Sequence, residues 1–412
     1  MNIAEIVMYA ITFLALYVQI FLLVTFIEYR KLIKYETNLP INIGKFPSVA
    51  VIVPCWNEEN TVHGTIDSLL ALDYPKDKLE IIVVDDGSTD NTWKEILKYK
   101  DNPQIKILHK ENGGKHTAMN YGIENTTTDF ISCLDADSYV AKDALKRIIS
   151  MFEKYPEKMA IAPSIIINNP KTFIQKIQRV EYNMAIYVKK MLAYLDAIHV
   201  TPGPFSVFRR EVFNKIGGFR KAHNTEDMEI AFRMQENYMK IGHCHTAEIY
   251  TVGPDTVYKL FKQRVRWIYG FIQNVFDYKR LVFRKKYGNF SLFTLPSGIV
   301  SITTTMYLFF VAFFNFINWI INKIIVYSTV GLQFTRPELN IDLFYINTRA
   351  LLFIIVSLYL LVAFATIIGS RMVKQKMSIH VVSYIFVYSV IAPAWLMKSI
   401  WNSLTLSKPR WR

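Results

Sequence analysis

The sequence predicts an α/β domain with a mostly parallel, doubly wound sheet, set between α-helical transmembrane segments. Three observations predict it. Residues 3–27 form an almost wholly apolar run, and three further runs, 295–321, 350–368 and 380–400, come late in the chain. Between the first run and the later ones, short buried-type strands alternate with segments of helical period. The composition agrees with a chain that is part soluble and part membrane: 51% hydrophobic, 14% aromatic and only 20% charged.

The first run is long enough to cross a bilayer at about 1.5 Å per residue. It lacks the basic start and small-residue cleavage site of a secretory leader, and is too long for one. Glu5 stands near its start, and Arg30, Lys31 and Lys34 follow directly. Positive charge on that flank places the N-terminus outside and the next domain in the cytoplasm. With three later spans, Lys279, Arg280, Arg284, Lys285 and Lys286 fall inside, as do Arg371, Lys374 and Lys376. The nearly balanced loop around Arg336, Glu338 and Asp342 falls outside. Lys408, Arg410 and Arg412 in the tail also fall outside, against the rule. Either the early charges dominate, or one late run is not a full span. The expected division is an N-terminal transmembrane helix (1–30), an α/β domain (45–255), an amphipathic segment (256–290), three transmembrane helices (291–403) and a short basic tail (404–412).

Within the α/β domain, residues 48–54 read as a strand, and Val62, Ile66, Leu69 and Leu70 as one helix face. Residues 79–84 form a second strand ending at Asp85-Asp86-Gly87, with a helix from near Asn91 capped by Ser88 or Asp90. Residues 105–109 read as a third strand, 116–123 as a short helix, and 129–134 as a fourth strand ending at Asp135-Ala136-Asp137. In such sheets ligands bind beyond the carboxyl ends of the strands, where these acids sit. Residues 259–283 carry an apolar stripe of Tyr258, Phe261, Val265, Ile268, Tyr269, Ile272, Val275 and Phe276 with Lys and Arg between. The stripe fits a helix on the domain's own core or a helix in the membrane interface.

The formal charge of +14 suits membrane-flanking Lys and Arg, or an acidic partner such as a nucleotide diphosphate or anionic lipid. No nucleic-acid signature accompanies it. Cys55, Cys133 and Cys244 fit neither a disulfide framework nor a four-ligand zinc site. Gly113-Gly114-Lys115 is not a Walker A loop, because His109 and His116 stand where it needs Gly and Ser or Thr. No G-x-G-x-x-G follows a strand.

Four constellations carry chemistry, each with a plainer reading beside it. Asp135 and Asp137 at a strand end can address one hard cation, Mg²⁺ or Mn²⁺, bridging a diphosphate; most such pairs are solvated turns. Asp85 and Asp86 can accept hydrogen bonds from a base or ribose, with Gly87 turning the backbone close to the ligand; an ordinary helix cap fits as well. Glu226 and Asp227 fall in the first turn of a helix capped by Asn224 or Thr225, where ionised carboxylates are favoured. Asp227 there can act as a general base, though simple capping explains these residues too. Gln263, Arg266 and Trp267 share one helical face. A guanidinium can fork onto a diphosphate and an indole offers a platform for a sugar ring, but a membrane-interface Trp is the alternative.

Taken in order, Pro54-Cys55-Trp56-Asn57-Glu58, Asp85-Asp86-Gly87-Ser88, Asp135-Ala136-Asp137, Thr225-Glu226-Asp227 and the Gln263–Trp267 stretch resemble the processive members of glycosyltransferase family 2. That group includes cellulose, chitin, hyaluronan and poly-N-acetylglucosamine synthases. The resemblance spans residues 48 to 271, and the arrangement of spans is similar to the rhizobial chitooligosaccharide synthase. It implies a GT-A, Rossmann-like fold and a membrane-bound, inverting, processive transferase in the cell membrane, its catalytic domain cytoplasmic. Such an enzyme polymerises a β-linked glycan from a UDP-sugar, with UDP-N-acetylglucosamine expected first, and feeds it across the bilayer. The alternative is single transfer to a lipid or polyprenyl phosphate. The resemblance also implies roles. Glu58 and Asp86, with Asp85 nearby, hold uridine, and Lys115 lies in the donor pocket. Asp135 and Asp137 hold nucleotide and metal, and Asp227 is the base. Gln263, Arg266 and Trp267 bind diphosphate and acceptor, and Gly203 and Pro204 flank the acceptor. The expected partners are the UDP-sugar, the growing glycan and the bilayer, without nucleic acid. Cys55 and Pro202 depart from the common pattern.

Overall fold

A computed structural model describes residues 3–41, 43–331, 350–376 and 378–408. The expected outer loop at Arg336, Glu338 and Asp342, and Arg410 and Arg412 of the tail, lie outside the described residues.

The strand β1 (Val49–Cys55) is buried along almost its whole length. A strand covered on both faces belongs in the middle of a parallel sheet. Accordingly, β1 pairs in parallel with β2 (Leu79–Asp86) on one side and β4 (Phe130–Cys133) on the other. β3 (Ile105–Lys110) adds a parallel edge to β2. The crossovers are α2 (Val62–Leu70), α3 (Thr92–Leu97) and α4 (Lys115–Glu124), as the alternating pattern predicts. At α3 the N-cap is Asn91, not Ser88 or Asp90; the Asp90 carboxylate instead accepts the Thr92 N–H at 2.9 Å.

Past β4 the structure contains more than the sequence reading did. β5 (Ser138–Val140), α5 (Ala144–Lys154), β6 (Lys158–Ile167), α6 (Phe173–Tyr194), β7 (Val207–Arg209), α7 (Arg210–Ile216), α8 (Glu226–Glu236) and β8 (Lys240–Thr251) complete an eight-stranded sheet. Its order is β3-β2-β1-β4-β7-β6-β8-β5. β7 runs antiparallel to both β4 and β6, and β5 antiparallel to β8. The two cores on either side of the sheet are built from alternate β1 residues, Ala50 and Ile52 facing one and Val49, Val51 and Val53 the other.

Among the described residues, four helices are long and apolar enough to cross a membrane: α1 (Ile3–Thr37), α10 (Leu295–Val330), α11 (Ala350–Met372) and α12 (Val381–Leu404). α1 and α10 run on past those apolar runs, to Thr37 and Val330. The extra turns of α1 reach the sheet domain. There Glu36 forms an ion pair with Lys190 of α6, both almost wholly buried, at 2.6 Å. The Tyr194 hydroxyl donates to Glu36 at 2.8 Å, and the Lys190 ammonium to the His243 carbonyl at 3.0 Å. α6 in turn lies directly on α11. A Cβ on Gly369 would stand 1.8 Å from the Asn183 carbonyl oxygen, so only glycine allows the crossing. Asn183 donates to the Ser370 hydroxyl at 3.0 Å beside it.

The amphipathic segment becomes α9 (Val257–Asp277), ending short of the expected 283 in a turn at Lys279–Leu281. The helix packs against two partners. Leu260 and Val265 pack with Trp395 and Leu396 of α12, while Gly270 and Asn274 face α8. Tyr258 and Phe276 are exposed. The helix therefore bridges the sheet domain and a candidate span.

Candidate active site

Beyond the carboxyl ends of β1, β2 and β4 opens a cleft of about 480 Å³. Glu58, Asp86, Lys115, Asp135, Asp137 and Glu226 line it, with Trp56, Asn112, Lys221 and Asn224. The first two of its walls are laced together. Asn57, at φ 55°, accepts the Thr89 N–H at 2.9 Å, and its own N–H donates to the Ser88 hydroxyl at 3.0 Å. The Glu58 N–H donates to the Thr92 hydroxyl at 2.7 Å.

Asp85 and Asp86 part company. Neighbouring strand residues point to opposite faces. Asp85 turns inward, fully buried and outside the cleft lining, where it meets His109 at 2.8 Å and accepts the Ser88 N–H at 3.3 Å. Asp86 turns to the cleft and organises the next loop. Its Oδ1 accepts from Lys110 Nζ at 2.7 Å and the Gly113 N–H at 3.1 Å, and Oδ2 accepts the Gly114 N–H at 2.9 Å. A carboxylate offers about four acceptor positions, so Oδ2 retains one for a ligand. Gly87 has φ 69°, and a Cβ there would come 2.7 Å from the Asn112 nitrogen, so this turn requires glycine.

Asp135 and Asp137 occupy the link between β4 and β5. Lys115, first residue of α4, donates to Asp135 Oδ1. Although burial works against it, Asp135 raises the Lys115 pKa above its ordinary value. Burial, then Asp135 and Glu58, push the Asp137 carboxyl up to about 6. The antiparallel pairing of β4 with β7 places the 201–206 loop alongside. A Cβ on Gly203 would lie 3.1 Å from Lys115 Nζ and 3.3 Å from Asp135 Oδ1. Gly203 and Pro204 thus stand behind the Lys115–Asp135 pair, half-buried and outside the cleft lining.

Thr225 is the N-cap of α8 by position, but its hydroxyl donates to the Ala222 carbonyl at 3.0 Å rather than capping. Glu226 lines the cleft. Asp227 lies beside that lining, its backbone carbonyl accepting both the Thr201 N–H at 3.1 Å and the Thr201 hydroxyl at 2.9 Å. Burial raises the Asp227 pKa against the pull of Lys115 and Arg266. Arg266 donates to the Asn224 carbonyl at 2.8 Å, beside the same acids. Gln263 and Trp267 follow on the same helix, half-buried and outside the cleft lining.

Sequence reasoning missed what fixes α9 to this turn. A Cβ on Gly270 would stand 2.3 Å from Thr225 Cγ2, and Asn274 donates to the Thr225 hydroxyl at 3.1 Å. A lone glycine inside an amphipathic helix was the available signal. Gly270→Val is expected to push α9 away from Thr225, costing about 1–3 kcal/mol of stability. Thermal unfolding reads that loss, and activity is expected to fall further than the melting shift alone accounts for.

Residues 50–217 match the family model described as glycosyl transferase family 2. The poly-beta-1,6-N-acetyl-D-glucosamine synthase of Staphylococcus aureus (strain MSSA476) is 32% identical over 242 residues, which is 58% of this chain and 58% of the relative. The synthase of the same description from Staphylococcus epidermidis is 33% identical over 224 residues, 54% of each. The chain thus matches little more than half the length of these curated relatives. Among solved structures, the mannosyltransferase PcManGT from Pyrobaculum calidifontis, in complex with GDP-Man and Mn²⁺, is similar at TM-score 0.55 and 16% identity. That likeness covers 96% of this chain and 99% of the other. It is a likeness of fold, and the fold is GT-A.

Proposed function

With residues 50–217 matching the glycosyl transferase family 2 model, we propose that the chain is a family 2 enzyme, an inverting, processive transferase. It polymerises a β-linked glycan from UDP-N-acetylglucosamine on the cytoplasmic face and passes the product into the membrane. The observation that carries this reading is the docking of α9 on the Thr225–Asp227 turn. The helix fixed there by Gly270 and Asn274 is also packed on α12, which joins the acids of the cleft to a candidate span.

In this reading the uridine lies against Glu58 and the open acceptor position of Asp86. Asp85 acts one step behind, shaping the turn. Lys115 and Arg266 face the diphosphate, and Gln263 and Trp267 the acceptor end, with Gly203 and Pro204 beside it. Asp227 takes the proton from the acceptor hydroxyl. That hydroxyl attacks the anomeric carbon from the face opposite the diphosphate, so an α-linked donor gives a β-linkage in one inversion. No covalent enzyme intermediate is required.

The residues fit a divalent cation. Among the described residues no three His, Cys, Asp or Glu form a ready-made cage. Mg²⁺ and Mn²⁺ suit a site of few carboxylates completed by phosphate oxygens and water. Burial, and after it the negative charge of Asp135 and Glu58, raises Asp137, and such an ion would relieve the cost of ionising it. Asp137, with Asp135, would hold it. When bound, the ion supplies charge neutralisation on the departing diphosphate.

The test offers membranes carrying the chain UDP-N-acetylglucosamine, UDP-glucose or UDP-glucuronic acid with Mg²⁺ or Mn²⁺. Polymer from the first donor is expected, and linkage-specific hydrolases identify the bond, the β-1,6 linkage being tried first. A product limited to one sugar on a lipid would overturn the polymerase reading.

A further inference from the structure

Side chains from three distant parts of the chain meet at Arg264, beside Trp267. The Arg264 guanidinium lies over the indole, 4.3 Å from the ring centroid. Its Nη2 donates to Glu181 Oε2 of α6 at 2.6 Å. The same oxygen accepts the Tyr388 hydroxyl of α12 at 2.7 Å. Arg264 is 5% exposed, so the pair is largely removed from water. Around it, the Ser399 hydroxyl donates to the Val265 carbonyl at 3.2 Å, and the Tyr388 ring packs edge-on against Trp395 at 5.5 Å.

A buried ion pair is a poor device for stability but a good one for fixing register. Here what it registers is an indole. The cation lies over one face of Trp267, and an indole face is a platform that suits a flat apolar ligand face such as a sugar ring. One turn earlier on the same helix face, Gln263 Oε1 is buried without a hydrogen-bond partner. A buried carbonyl oxygen of that kind wants a donor, and sugar hydroxyl and acetamido groups supply donors.

We propose that Arg264, Glu181 and Tyr388 are positioning residues that hold the Trp267 indole for the acceptor end of the glycan. Through them α12 sets how firmly the product is retained between additions. The inference rests on the placement of the acceptor at Trp267 in the proposed function.

The test uses the full chain in membranes and compares wild type with Tyr388→Phe, Glu181→Gln and the control Tyr384→Phe. The Tyr384 hydroxyl meets only the Met184 sulfur, at 4.0 Å, among the contacts described. Michaelis constants for UDP-N-acetylglucosamine and for an N-acetylglucosamine oligosaccharide acceptor are measured together with product length. Tyr388→Phe and Glu181→Gln are expected to raise the acceptor KM about fivefold and shorten the product. The donor KM should stay within about twofold, and Tyr384→Phe should match wild type. If Tyr388→Phe does not fold, Glu181→Gln decides in the same way. An unchanged acceptor KM overturns the inference, including when kcat alone falls, because a merely structural role gives that result. A wild type that makes only single-sugar product sinks the polymerase reading separately, while the acceptor KM of the variants still decides this one.

Discussion

Asp227→Asn is expected to lower sugar transfer by about a thousandfold while UDP binding survives. The substitution is close to isosteric. The Asp227 backbone carbonyl, which holds the Thr201 N–H and hydroxyl, is untouched, and an amide oxygen can still accept the Met228 N–H that now reaches Oδ1 at 3.0 Å. What disappears is the ability to take a proton. Burial raises the pKa of this carboxyl, which makes it a stronger base than an exposed aspartate while Lys115 and Arg266 oppose its protonation. UDP release with acceptor present measures transfer, and calorimetry with UDP measures binding. Transfer within about tenfold of wild type would remove Asp227 from its role, and loss of UDP binding would mean that the site itself had collapsed.

The second large effect concerns divalent cations. Chelation is expected to lower transfer by more than about a hundredfold, since charge on a leaving diphosphate is worth several kcal/mol to neutralise. Its pH signature follows from Asp137, whose carboxyl is pushed up to about 6 by burial and by Asp135 and Glu58. A carboxyl raised in the folded state holds its proton more tightly there than in the unfolded chain. Its contribution to stability is therefore present at low pH and is lost as pH rises from about 4 through about 6. A cation competes with that proton. Without metal, the melting temperature should carry this loss across the window. Adding Mn²⁺ should raise the melting temperature more at pH 7 than at pH 5. Asp137→Asn should abolish both the pH effect and the metal effect. An equal Mn²⁺ shift in wild type and variant would exclude Asp137 as a ligand.

The first half of the sheet was legible because β1 to β4 are apolar runs that stop at acids and glycines, and helical period fills the gaps between them. The second half was not. β7 is only three residues long, and β8 interrupts its apolar pattern with buried His243 and His245. The cleft was legible in its acids but not in their orientation. Strand alternation alone would have sent Asp85 and Asp86 to opposite sides, and it was the Asp86 side that opened to the cleft. Lys221 and Asn112 line the cleft from loops that carry no periodic signal. The contact of Glu181 with Arg264 and Tyr388 joins residues 83 and 207 positions apart, which no local pattern encodes.

The crossing of Gly369 over Asn183 has a wider consequence. It leaves no room for lipid or water at that crossing of α6 and α11, and Ile177 and Val180 of α6 share an apolar cluster with Val381 and Tyr384 of α12. α11 and α12 therefore pack as a wall of the GT-A fold rather than an anchor beside it. A water-soluble fragment cut at the bilayer surface would keep every acid of the cleft yet leave the flank of α6 bare, inviting clumping. Purification has to carry the whole assembly in detergent or lipid.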